Sequence, residues 1–131
     1  MWTTNKPTYG SAIRVNRGLY SHYGIYVSDE HVIHFSAGAT EDILSASESA
    51  RIIDTNIDVF SKGDIVETLI YDDTNKPVRN PQEIVNFAYS MLGTGGYNLV
   101  TYNCEHFVNL CLYDKAYSNQ VNNVFQKLFN L

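Results

Sequence analysis

The spacing of apolar residues changes once along this chain, at Asn80-Pro81, and that change limits the fold more than any other feature of the sequence. Before it, Ala12-Ile13-Arg14-Val15 alternates in polarity, Tyr20 to Val27 is aromatic and β-branched, and His31-Val32-Ile33-His34-Phe35 follows a short polar turn. These patterns read as strands. Ser61-Lys62-Gly63-Asp64 is a turn signal, and Ile65 to Tyr71 reads as a further strand. Between Ser36 and Ser49 the residues are small and polar, which predicts a loop with a turn of helix before Arg51-Ile52-Ile53. After the change, Asn80 is placed to cap a helix with Pro81 at its first position, where the missing N–H is not needed. Ile84, Phe87, Ala88, Met91 and Leu92 recur at helical spacing, and Gly93 closes the helix. Asn103 can cap a second helix over Cys104 to Leu112, and Val121, Val124, Phe125, Leu128, Phe129 and Leu131 predict a third. Strands followed by helices are the pattern of an α+β domain: an antiparallel sheet packed against about three helices.

At 131 residues the chain is expected to be one domain, 1–131, since a second core needs roughly another hundred residues. Hydrophobic residues make up 44% and charged residues 18%, a globular composition. The net charge of -5 and the scattered Lys and Arg argue against a nucleic-acid partner, because phosphate binding needs clustered cations. The start Met1-Trp2-Thr3-Thr4-Asn5-Lys6 lacks the apolar core of a signal peptide, and the close Gln126-Lys127-Leu128-Phe129-Asn130-Leu131 is too short and polar to span a bilayer. A cytoplasmic protein is expected, with any membrane contact peripheral. The two cysteines, Cys104 and Cys111, lie seven apart on one predicted helix, on the order of 10 Å between Cα atoms, beyond the roughly 7 Å that a disulfide tolerates. Two free thiols fit a reducing compartment.

Which of these groups could do chemistry? A cysteine at a helix N-terminus has the positive end of the dipole beside its sulfur and backbone N–H groups placed to hold an oxyanion. Cys104, following Asn103, has that position. His106 cannot serve it, since residues two apart on a helix point about 200° apart. His31, beside Asp29 and Glu30, reads as exposed. His22 and His34 remain, and the turn register decides their relation. A two-residue loop of Asp29 and Glu30 sets Ser28 opposite His31 and puts the two histidines on opposite faces. A three-residue loop of Ser28, Asp29 and Glu30 sets Gly24 opposite His34 and makes His22 its same-face diagonal neighbour. In that register His22 can take the thiol proton while His34 orients it. A buried cysteine on an amphipathic helix is also a common core residue, so spacing alone leaves both readings open.

The segments Tyr20-Ser21-His22-Tyr23-Gly24-Ile25-Tyr26-Val27, Val32-Ile33-His34-Phe35 and Asn103-Cys104-Glu105-His106-Phe107-Val108 resemble the signature boxes of the lecithin:retinol acyltransferase-like family. The resemblance runs from about Gly10 to Tyr113. It implies a circularly permuted, NlpC-type papain-like architecture, with Cys104 as nucleophile, His22 as general base and His34 as the third polar member. It also implies a site tyrosine seven positions before the cysteine, here Tyr97, as an oxyanion-side hydroxyl, with Asn103 beside it. The implied activity is thiol-dependent acyl transfer or hydrolysis on an ester or amide, through an acyl-cysteine, with a small-molecule or lipid acyl substrate and no cofactor or metal. Two alternatives keep the fold: a non-catalytic protein-binding module, and a cysteine peptidase or amidase using the same residues. Cys111 and His106 read as structural.

Overall fold

A computed structural model describes residues 1–36, 49–96 and 103–115. The predicted C-terminal helix, Tyr97 and most of the loop after Ser36 lie outside the described residues. The described chain is α+β, as expected. Six strands, β1 (Trp2–Thr3), β2 (Ser11–Asn16), β3 (Ser21–Ser28), β4 (His31–Ser36), β5 (Arg51–Thr55) and β6 (Val66–Leu69), form one antiparallel sheet in the order β1-β6-β2-β3-β4-β5. Three helices are described: α1 (Ile57–Ser61), α2 (Pro81–Ser90) and α3 (Cys104–Tyr113).

The sheet separates two apolar layers, and the alternation along each strand assigns residues to them. Ala12, Tyr23, Ile25, Ile33, Phe35 and Ile52 face α2 and α3, where they pack with Ile84, Ala88, Phe107, Val108, Cys111 and Leu112. Ile13, Val15, Tyr26 and Val32 face the other way and pack with Phe60 of α1. That helix is short and was not evident from periodicity. It is held by its caps: the Asn56 side chain accepts from the Val59 N–H at 2.8 Å, and Lys62 ends it in the left-handed region at φ 53°.

The β3–β4 hairpin resolves the register question by combining the two alternatives. Ser28 pairs with His31, so the loop is the two-residue one, Asp29-Glu30. Val27 then has no partner, because Tyr26 already pairs with Val32. This β-bulge inserts one residue in β3 and reverses the side-chain alternation beyond it. Ile25 pairs with Ile33, the last pair of the two strands, and the same alternation puts Gly24 and His22 on the face that carries His34. His22 and His34 therefore share a face despite the short loop.

Candidate active site

Asn103 caps α3 as the sequence predicts. Its side-chain oxygen accepts from the N–H groups of Glu105 (2.9 Å) and His106 (3.1 Å), while the Asn103 N–H donates to His106 Nδ1 at 3.0 Å. His106 thus closes a capping box in the place usually taken by Glu or Gln. This is the structural role expected of it. Cys104 is the first residue of α3 and is only 4% exposed.

The sulfur of Cys104 reaches the backbone of β3. Its thiol donates to the carbonyl of Ser21 at 3.8 Å, and the backbone N–H of Tyr23 on the same strand favours the thiolate. Strand pairing explains why these groups are available. In an antiparallel sheet alternate residues bond to alternate neighbours. Tyr20 and Tyr26 give their carbonyls to the β2 side, to Arg17 and Gly10, so Ser21, Tyr23 and Ile25 present theirs toward β4. The β3–β4 register ends at Ile25 and Ile33, whereas His34, Phe35 and Ser36 continue in pairing with β5. The pairing of the two strands stops there, and the sulfur lies against the Ser21 carbonyl, one residue before His22.

The histidines lie on the face of the sheet toward α1. His22 Nε2 and His34 Nδ1 are 2.9 Å apart, and His34 Nε2 is 2.8 Å from Thr55 Oγ1. Phe60 covers both rings: it stacks on His22 with centroids 5.1 Å apart at 28° and meets His34 edge-on, also at 5.1 Å. Gly24 makes room for that cover. A Cβ at this position would lie 2.8 Å from Phe60 Cε1 and 3.1 Å from Val32 Cγ1. The structure therefore joins His22 to His34 and brings Cys104, which packs in the layer toward α2 and α3, to the backbone of β3, the strand that carries His22. The hydrogen bond of the Cys104 thiol goes to the Ser21 carbonyl rather than to an imidazole.

The electrostatics of the site are governed by burial. Burial, and next the positive charge of a protonated His34, hold His22 well below the ordinary histidine range, and burial pushes His34 down to about 4. Both rings are neutral at pH 7. Burial also pushes the Cys104 thiol up to about 11, the Tyr23 N–H opposes this, and the neighbouring Glu105 carboxylate adds to it. A helix N-terminus was expected to lower this thiol. In the substrate-free site desolvation outweighs it, and the thiol is protonated. Burial raises the thiol of Cys111 as well; its side chain lies in the core layer beneath α3, as expected.

Two site residues were not legible in the sequence. Thr55 and Phe60 come from the β5–α1 junction, a stretch with no catalytic spacing relative to either histidine, and only pairing of β5 with β4 delivers them. Val32 pairs with Thr55 and His34 with Ile53, which places the Thr55 side chain on the histidine face. The signal that could have pointed there is Asn56 three residues before Val59, a helix cap that sends Phe60 back over the sheet.

Fold and site define a class: an α+β protein in which a helix-leading cysteine reaches the backbone of a strand that carries one of two hydrogen-bonded histidines. The lecithin retinol acyltransferase family model matches residues 5–117, and the chain belongs to that family. Human (Homo sapiens) phospholipase A and acyltransferase 2 is 31% identical over 125 residues, covering 88% of this chain and 76% of that protein. Human phospholipase A and acyltransferase 3 is 32% identical over 128 residues, covering 91% and 78%. Lecithin retinol acyltransferase of Rattus norvegicus is 27% identical over 130 residues, covering 85% of this chain and 56% of that protein. No helix among the described residues is long and apolar enough to cross a membrane.

Proposed function

We propose that this protein is a thiol acyltransferase or hydrolase that takes an acyl group from a lipid ester onto Cys104 and passes it to water or an amine. The observation that carries this reading is the contact of the Cys104 thiol with the carbonyl of Ser21, the residue before His22 on β3. The lipid class of the substrate is taken from relatives named as phospholipase A and acyltransferase. We read the architecture as the permuted papain-like one and the setting as cytoplasmic, where both cysteines stay reduced.

In this scheme the acyl donor binds beside Cys104 and His22 takes the thiol proton on the ring nitrogen that faces away from His34. The sulfur attacks the acyl carbon, and the tetrahedral oxyanion forms beside the backbone N–H of Cys104 at the head of α3, with Tyr97 as a further donor. Collapse breaks the carbon–oxygen bond, and the leaving alcohol takes the proton from His22. Water or an amine then attacks the thioester, returns a proton through His22 and restores the thiol. Because the free thiol is protonated, proton transfer is coupled to donor binding and does not precede it. Asn103 acts through the helix it caps.

Incubation with a short-chain phosphatidylcholine followed by intact-mass measurement tests the scheme. One added acyl group that Cys104→Ala abolishes and Cys111→Ala retains is the expected result. An acyl adduct that survives Cys104→Ala overturns the assignment. The raised thiol pKa favours a second reading, a non-catalytic module of the same fold. Absence of any adduct and of any ester hydrolysis, in a folded protein, selects that reading.

A further inference from the structure

Thr55 makes two hydrogen-bond contacts that bear on where the protons of the histidine pair lie. Its hydroxyl donates to the carbonyl of Asn56 at 3.2 Å. A hydroxyl has one proton, so toward His34, at 2.8 Å, it can only accept. The His34 nitrogen facing it, Nε2, must then carry the ring proton. A neutral imidazole has one N–H, which leaves His34 Nδ1 as an acceptor. The group it faces at 2.9 Å is His22 Nε2, which must donate. His22 in turn has its proton on Nε2 and a bare lone pair on Nδ1. The opposite arrangement, with Thr55 donating to His34, reverses every step and puts a proton on the nitrogen that would have to accept one from the thiol.

We propose that Thr55 is a positioning residue that sets the tautomers of His34 and His22, so that His22 presents a bare Nδ1. The direction of the relay comes from the Asn56 carbonyl, which claims the only proton Thr55 has. Thr55 is the last residue of β5 and Asn56 is the N-cap of α1, so the same junction that orients the hydroxyl also delivers Phe60 over the two rings. Phe60 adds a constraint of its own: an apolar ring against both imidazoles limits the water that reaches their nitrogens.

That His22 Nδ1 is the base rests on the catalytic reading above, but the tautomers themselves do not. The experiment therefore has two independent readouts on protein labelled with ¹⁵N at histidine, for the wild type, Thr55→Val and Thr55→Ser. Imidazole ¹⁵N spectra at neutral pH are expected to show the protonated nitrogen at Nε2 and the bare one at Nδ1, in both His22 and His34. Thr55→Val, which keeps the shape and removes the hydroxyl, is expected to give mixed tautomers in both rings, and Thr55→Ser to restore the wild-type pattern. In the acylation assay Thr55→Val is expected to lower kcat about tenfold with KM little changed, the loss of one directing hydrogen bond, while Thr55→Ser retains activity. Protonated Nδ1 on both rings of the wild type, or tautomers unmoved in Thr55→Val, overturns the proposal. Tautomers as expected with no acyl-enzyme at Cys104 would sustain it and sink the catalytic reading instead.

Discussion

Cys104 heads a helix, an arrangement that lowers a thiol pKa, and is also almost fully enclosed, which raises it; the balance falls to about 11 because a buried thiolate loses its water. Alkylation by iodoacetamide checks this directly. At neutral pH Cys104 should react more slowly than free cysteine, and its rate should climb about tenfold per pH unit up to the thiol pKa. A fast reaction at pH 7 would show that the free site already holds a thiolate. The histidines give the opposite pH signature. His34 stays neutral in the folded protein down to about 4, whereas the unfolded chain protonates near 6.5. The unfolded state thus binds the extra proton between these values. Stability is complete above pH 6.5 and falls as the pH drops toward 4, by about 3 kcal/mol from this residue alone. His22, also held low by burial, acts in the same direction. Chemical denaturation from pH 7.5 to 4 should show the loss, and His34→Gln should flatten it.

At the scale of elements, the site depends on the Val27 bulge and on α1. Gly24 has no side chain because Phe60 occupies that space. Gly24→Ala should destabilise the protein by about 1–3 kcal/mol through overpacking. Phe60→Leu, a smaller side chain in the same place, should recover part of this in the double variant, and urea denaturation of the four proteins of the cycle measures the coupling. If the two changes simply add, Phe60 is not what excludes a side chain at position 24. The helices were largely legible: Asn80 with Pro81 and Asn103 before Cys104 are caps whose chemistry is local, and both cap as expected. The strands β2, β3 and β4 were legible from their apolar patterns, although β6 is shorter than the run Ile65 to Tyr71 suggests. The helix α1 was not, since five residues are too few to show a helical period.

Across the whole molecule, the sheet is a partition with α2 and α3 on one side and α1 on the other, and the candidate site draws on both sides. Arg17 ties the two ends of this arrangement together. From the turn between β2 and β3 it donates to the carbonyls of Phe60 (2.6 Å) and Ser61 (3.1 Å) and to Asp64 (2.8 Å). Arg17→Ala should lower stability by about 1–3 kcal/mol, since the end of α1 loses charge-assisted bonds. It should also loosen Phe60 over the histidines, visible as faster hydrogen exchange in α1 than in α3. Equal acceleration in both helices would assign Arg17 a general role instead. What the sequence determined by itself was local: the α+β order, the capped helix with a cysteine at its head, and two histidines in one hairpin. The tertiary structure alone decided the register that puts both imidazoles on one face, the contact of the sulfur with the Ser21 carbonyl, and the arrival of Thr55 and Phe60. Caps and periodicity are set by residues within a turn of one another, and so can be read along the chain. Register and cover are set by contacts between strands and helices distant in sequence, whose energies no single segment contains.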